Sequence, residues 1–260
     1  MLNIDRQDGI ARITLDRPAV RNAFDDALIA SLTSLLREIE KDDNIRVVVL
    51  AGNGPAFCAG ADLNWMKRMA GYGYDENRAD AQALAAMLAT LDRLPKPTIA
   101  RVHGPAFAGG TGLVAACDIA VGTPEAKFCL SEAKLGLSPA TISPYVLRAM
   151  GERMARRYFL TAEVFDAAEA CRIGLLSLLV PAAELDAAVG GLVRHLLAGG
   201  PQALAKIKDL IRSVANRVPD DELIADTAMR IAEIRGSPEG KEGIASFLEK
   251  RKPSWCSPRS

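Results

Sequence analysis

The chain has 260 residues, 49% of them hydrophobic, enough for a sizeable core in one large domain or a domain with a smaller helical unit attached. Basic and acidic residues number 32 each, so the formal net charge is zero and the basic excess of a general nucleic-acid binder is missing. Five scattered cysteines without a CxxC pair, and only two histidines, argue against a disulfide framework and against a metal site.

Residues 1–6 carry no apolar signal core, and no apolar run reaches the ~20 residues of a membrane span. A soluble, cytoplasmic protein with no membrane or nucleic-acid partner is expected. Short alternating or β-branched runs predict strands at about 2–6, 10–15, 46–51, 97–102, 118–122 and 177–180. Val47 to Leu50 is wholly apolar, as in a strand covered on both faces. Helical spacing predicts helices over 25–40 and 77–94, the second stopped by Pro95 and Pro97. Alternation of the two predicts an α/β core. Beyond about residue 160 the pattern turns mostly helical, with helices at 184–198, 202–215, 221–234 and 237–249 separated by Gly/Pro breaks.

Two loops of small residues stand out, each opening a helix. The first is Phe57-Cys58-Ala59-Gly60-Ala61-Asp62-Leu63 and the second Pro105-Ala106-Phe107-Ala108-Gly109-Gly110-Thr111-Gly112. Small residues let a ligand approach the backbone, and the first N–H groups of a helix have no partner inside it. Two such donors converging on one carbonyl oxygen make an oxyanion hole. Glu132 follows the apolar run Phe128-Cys129-Leu130 rather than lying on a charged face. It is either salt-bridged, for instance to Lys134, or a proton-transfer group with a raised pKa. Asp62 reads as the cap of the helix starting at Leu63, ahead of a substrate contact. Gly110-Thr111-Gly112-Leu113-Val114-Ala115 also fits a relaxed dinucleotide-binding pattern, but the 102–118 interval looks too short for a parallel crossover, which disfavours that reading. His103 and His195 have no triad context and read as structural.

In order along nearly the whole chain, these motifs resemble the enoyl-CoA hydratase/isomerase (crotonase) superfamily. The matching text runs from Leu15-Asp16-Arg17-Pro18 and Arg21-Asn22-Ala23, through the two loops and the acid after Cys117-Asp118, to Phe247-Leu248-Glu249-Lys250-Arg251-Lys252. The resemblance implies an α/β fold, a crotonase-like ββα superhelix core (1–195) with a helical C-terminal trimerisation region (196–260). The expected assembly is a homotrimer or a dimer of trimers. It implies an acyl-CoA substrate and no separate cofactor, since coenzyme A is part of the substrate. By resemblance, Ala61 and Gly109 match the oxyanion-hole donors and Glu132 the second of the family's two catalytic glutamates. Arg21, Ala23, Ala59, Asp62, Leu63, Asn64, Phe247 and Lys250 match positions that contact CoA or the acyl group.

Where two-acid hydratases carry the first glutamate, this chain has Gly112, and Pro139-Ala140-Thr141-Ile142-Ser143-Pro144 replaces the usual text after the second. A pocket reshaped around Gly112 to admit a branched or bulky acyl group is one expectation. The text around Glu132, Tyr145 and Arg156-Arg157-Tyr158 is most similar to methylglutaconyl-CoA and isohexenylglutaconyl-CoA hydratases, whose substrates carry a free carboxylate. Lys67 and Arg148 are then candidate cations for it. Three functions follow from the resemblance: hydration of an α,β-unsaturated acyl-CoA, double-bond isomerisation by Glu132 alone, or non-catalytic acyl-CoA binding.

Overall fold

A computed structural model describes residues 1–256. In chain order the elements are β1 (Leu2–Gln7), β2 (Ile10–Leu15), α1 (Asp26–Lys41), β3 (Val47–Gly52), α2 (Leu63–Met69), α3 (Tyr74–Arg93), β4 (Thr98–Val102), β5 (Ala106–Phe107), α4 (Gly109–Ala116), β6 (Ile119–Gly122), β7 (Lys127–Cys129), α5 (Ser143–Thr161), β8 (Phe165–Asp166), α6 (Ala167–Arg172), β9 (Leu178–Leu179), α7 (Leu185–Ala198), α8 (Pro201–Val214), α9 (Asp221–Gly236) and α10 (Pro238–Leu248).

The apolar run in β3 is explained by its neighbours. Val48 and Leu50 face a core shared with Leu28, Leu32 and Leu36 of α1 and Met87, Leu88 and Leu91 of α3. Val47 and Val49 face the other way, onto Leu185, Val189 and Val193 of α7. β3 lies inside a six-stranded sheet of order β1-β2-β3-β4-β6-β9, antiparallel only between β1 and β2. A smaller sheet, β5-β7-β8, stands beside it. Successive turns of chain place one strand in each sheet: β4 then β5, and β6 then β7. That is the ββα repeat the resemblance implies.

All six predicted strands and the predicted helices are present. The short strands β5, β7 and β8 and the long helix α5, kinked at Gly151 (φ 74°), were not anticipated. One expectation fails: the 102–118 interval does hold a parallel crossover, because β4 and β6 pair in parallel around β5 and the eight-residue α4. The dinucleotide reading is instead removed by what the glycines do. A Cβ on Gly110 would sit 2.3 Å from Cys58 O and one on Gly112 would sit 2.3 Å from Ile142 Cγ2, so both glycines serve packing rather than a ligand.

The boundary expected at 195/196 lies inside α7. The helices after it are tied to the sheet at its base. Lys208 of α8, 8% exposed, bonds Asp118 Oδ2 at 2.5 Å and the carbonyl of Lys96 at 3.3 Å, while Thr98 holds the same carboxylate at 2.8 Å. Among the described residues no helix is long and apolar enough to cross a membrane.

Candidate active site

The two small-residue loops are stitched to each other by backbone hydrogen bonds. Cys58 pairs with Ala106 through Cys58 N–H to Pro105 O (3.2 Å) and Phe107 N–H to Cys58 O (2.9 Å). Ala61 pairs with Phe24 through Phe24 N–H to Gly60 O (2.6 Å) and Asp62 N–H to Phe24 O (2.7 Å). In a parallel bridge of this kind the residues flanking Ala61 do the bonding, and its own N–H points away. That amide donates no backbone hydrogen bond among the described residues.

The second donor is set by Ala108. It adopts φ 47°, ψ −117°, a costly conformation for a residue with a Cβ. Its N–H is bound to Cys129 O (2.7 Å) and its carbonyl to Gly112 N–H (3.1 Å). The chain turns there into α4, leaving the Gly109 amide, first in the helix, without a backbone partner. Phe24 connects the two donors. Its backbone holds the Ala61 loop, and its ring lies where a Cβ on Gly109 would be, 2.6 Å from Cε2. At Gly60 (φ 94°) the loops meet, with Ala108 Cβ 3.2 Å from a built Cβ.

Glu132 enters from β7. Cys129, the acceptor for Ala108, precedes it by three residues, so the bond that shapes the hole also anchors the acid. Glu132 sits in a 3₁₀ turn, Ser131–Leu135, half-buried. Its Oε2 is buried and has no hydrogen-bond partner. Burial raises its pKa above the usual carboxylate range, opposed only by a hydrogen bond from its own backbone N–H. Lys134 is exposed and leaves Oε2 unpartnered, with no part in the shift of the Glu132 carboxyl, which answers the salt-bridge alternative. A carboxyl group that is poorly solvated and unpaired, on a segment tied by the Ala108–Cys129 bond to the loop before Gly109, is suited to exchange a proton with a carbon acid or with water.

The remaining predicted residues are placed as follows. Asp62 is a cap: Oδ1 accepts from Asn64 N–H (2.8 Å) and Trp65 N–H (3.3 Å), and Oδ2 pairs with Arg17 (3.2 Å), which also binds Asp25 (2.8 Å). Both oxygens are occupied, which corrects its place among substrate contacts. Ala23 is buried and its carbonyl accepts from Arg17 (2.7 Å), so its side chain does not face a ligand. Arg21 is exposed, in the left-handed region (φ 53°), and its carbonyl accepts from Ala59 N–H (3.0 Å), which sets its side chain beside the first loop. Leu63 and Asn64 are exposed in the first turn of α2. Phe247 is 81% exposed and Lys250 exposed at the end of α10, which packs on α8 and α9 rather than on the other elements. His103 bonds Gly54 O (2.8 Å), and His195 lies on the exposed surface of α7.

Arg148 pairs with Asp92, stacks on Tyr145 and lines a cavity of about 680 Å³ with Cys117, Asp118 and Lys208 at the far end of α4 from Gly109. The space beside Gly112 is not open, because Ile142 fills it. Sequence reasoning missed Phe24 and Ile142, both apolar residues whose importance lies in contacts with glycines distant in sequence.

The chain matches the enoyl-CoA hydratase/isomerase family model over residues 5–258. It belongs to that family. An enoyl-CoA hydratase from Shewanella pealeana is 44% identical, with 98% of this chain and 95% of that one covered and a TM-score of 0.95. One from Mycobacterium smegmatis is 33% identical, covering 98% and 99%, with a TM-score of 0.91. Enoyl-CoA hydratase ACTT6 of Alternaria alternata is 35% identical over 93% of this chain and 79% of its own length. The family is enzymatic, and the fold is that of the crotonases.

Proposed function

We propose that the protein binds an acyl-CoA thioester with its carbonyl oxygen between the Ala61 and Gly109 amides, and that Glu132 exchanges the proton at the α-carbon during hydration of the α,β-unsaturated acyl group. One observation carries this reading: the Ala61 and Gly109 amides lack backbone partners, the loops that carry them are joined by the Cys58–Ala106 bridge, and the Ala108–Cys129 hydrogen bond ties the second loop to the strand leading to Glu132, whose buried Oε2 is also without a partner. In hydration, water attacks C3 as Glu132 takes one of its protons. The electron pair of the double bond moves onto the thioester oxygen, where the amides stabilise it, and Glu132 then returns the proton to C2. Removing one such donor costs ~2.7–4 kcal/mol of barrier in acyl-transfer sites.

A second reading has its own support. Gly112 provides no second carboxylate, so Glu132 is also suited to take a proton from C2 of a 3-enoyl thioester and return it at C4, without water. As to substrate, Arg148 is committed to Asp92, and Lys67 is exposed on α2. With neither cation offered to a free acyl carboxylate, the reading favours an uncharged aliphatic acyl group over a methylglutaconyl-like one. Arg21, Ala59, Leu63 and Asn64 are the nearest candidates to meet CoA. Phe247 and Lys250 would do so from a neighbouring subunit, in a trimer or dimer of trimers formed through exposed apolar residues such as Ile207, Ile211 and Ile224. Crotonyl-CoA, 3-methylglutaconyl-CoA and a 3-enoyl-CoA, assayed side by side, test the reading. Turnover of crotonyl-CoA supports hydration, turnover of the 3-enoyl-CoA alone supports isomerisation, and tight binding without turnover of any overturns both.

A further inference from the structure

Gly112 and Ile142 fit as a notch and a knob. A Cβ built on Gly112 would lie 2.3 Å from Ile142 Cγ2 and 2.8 Å from Ile142 Cβ, so the branch methyl occupies the space where any side chain at 112 would begin. Both residues are buried, Ile142 at 2% exposure. The turn that carries Glu132 packs on α5, the helix that Ile142 caps. Residues 133–138 are all exposed, and the hydrogen bonds of the segment are mostly internal, such as Leu137 N–H to Glu132 O (3.0 Å) and Ser143 N–H to Pro139 O (2.9 Å). The segment carrying the acid is thus pinned at two places: upstream by the Ala108–Cys129 bond and downstream by Ile142 in its notch. The notch lies on the helix that supplies the hole, and residues three apart on a helix share a face, so Gly109 and Gly112 do.

We infer that Ile142 is a positioning residue, whose Cγ2 methyl seated on Gly112 fixes the approach of Glu132 to the substrate held at Gly109. The inference rests on the reading of Glu132 and the hole given above. Seating depends on the branch at Cβ and not on apolar volume, and that separates the inference from ordinary core packing. Valine keeps the branch methyl and loses only Cδ1. Leucine keeps the whole volume but has no branch at Cβ.

The test compares Ile142→Val, Ile142→Leu and Glu132→Gln with the wild type, on whichever of the three acyl-CoA substrates the wild type turns over. Ile142→Val should stay within about twofold of wild type. Ile142→Leu should lower kcat roughly 10–100-fold with KM little changed, since a displacement of about an ångström at reacting groups costs that much. It should also move the acid limb of the pH profile downward as water reaches Glu132. The titratable groups near that carboxyl are Cys129 on β7, which feels its charge, and Lys134 on its own turn, whose charge acts on the same Cys129; α4 contributes no titratable group. Gly112→Ala, which presses on the same methyl from the other side, should reproduce the leucine signature and replaces it if the leucine variant does not fold. Leucine equal to wild type, or valine and leucine falling together in proportion to lost thermal stability, overturns the inference. If Glu132→Gln is itself near wild type, the reading of Glu132 fails first, and a wild type inert on all three substrates overturns both.

Discussion

Replacing Glu132 by Gln keeps the shape of the side chain and removes the titrating group. Because Oε2 has no hydrogen-bond partner, no donor in the described structure substitutes for its proton-transfer role. General acid–base help is worth ~10²–10⁴ in rate, or ~2.7–5.5 kcal/mol at 1.36 kcal/mol per decade. We expect kcat to fall by that factor while acyl-CoA affinity changes little, since the carbonyl contacts come from Ala61 and Gly109. In the wild type, activity that depends on the carboxylate should decline as pH falls through the raised pKa of Glu132; the variant should lack that limb. Stability should move the opposite way. Below its unfolded-state pKa the carboxyl is protonated in both states and carries no penalty. As pH rises toward the folded pKa, the unfolded chain gives up its proton first, and the wild type loses stability that the Gln variant keeps. The melting temperature of Glu132→Gln should therefore exceed that of the wild type near neutral pH, with the gap closing in acid. Steady-state kinetics across pH and thermal melts of both proteins suffice. A variant with near wild-type kcat would refute the assignment and move the search to another acid.

Gly109→Pro deletes one hole donor and should cost ~2.7–4 kcal/mol in kcat/KM in a folded protein; survival of turnover would remove Gly109 from the hole. Gly112→Glu must displace Ile142, whose Cγ2 lies 2.3 Å from the new Cβ, and should abolish activity on the native substrate; increased crotonyl-CoA hydration would contradict this. Lys208→Ala leaves Asp118 without its cation and should destabilise by ~3 kcal/mol, the low end for a broken buried pair because Asp118 is partly solvated, as denaturant midpoints would register. Light scattering at micromolar concentration should give the mass of a trimer or hexamer; a monomer would remove the role offered to Phe247 and Lys250 from a neighbouring subunit.

Much of this was legible in the sequence because the signals were long. The apolar Val47–Leu50, the leucine periodicity of α1 and the Gly/Pro breaks after residue 198 each repeat a local rule several times. β5, β7 and β8 are two or three residues long, too short for any period, and α4 is a run of Gly, Ala and Thr with no polar face, since it is buried nearly throughout. α5 was hidden by Pro144 near its start and Gly151 within it. In the site, Asp62 was legible as a cap because capping is local. The seating of Ile142 on Gly112 and of Phe24 on Gly109 was not, because each pairs residues 30 or more positions apart through a shape that composition does not encode. The pairing of Arg148 with Asp92 was hidden for the same reason, since Asp92 lies on another helix.

The two loops and the segment before Glu132 are joined by carbonyls and amides of Arg21, Phe24, Cys58, Gly60, Pro105, Phe107, Ala108 and Cys129, with the Phe24 ring seated on Gly109. Exchange of side chains at Ala59 or Leu63 leaves every one of those bonds in place. A change of side chain at those two positions would therefore alter what the loop presents to a ligand while its backbone frame stays as it is, so that contact and framework reside in different atoms of the same loop.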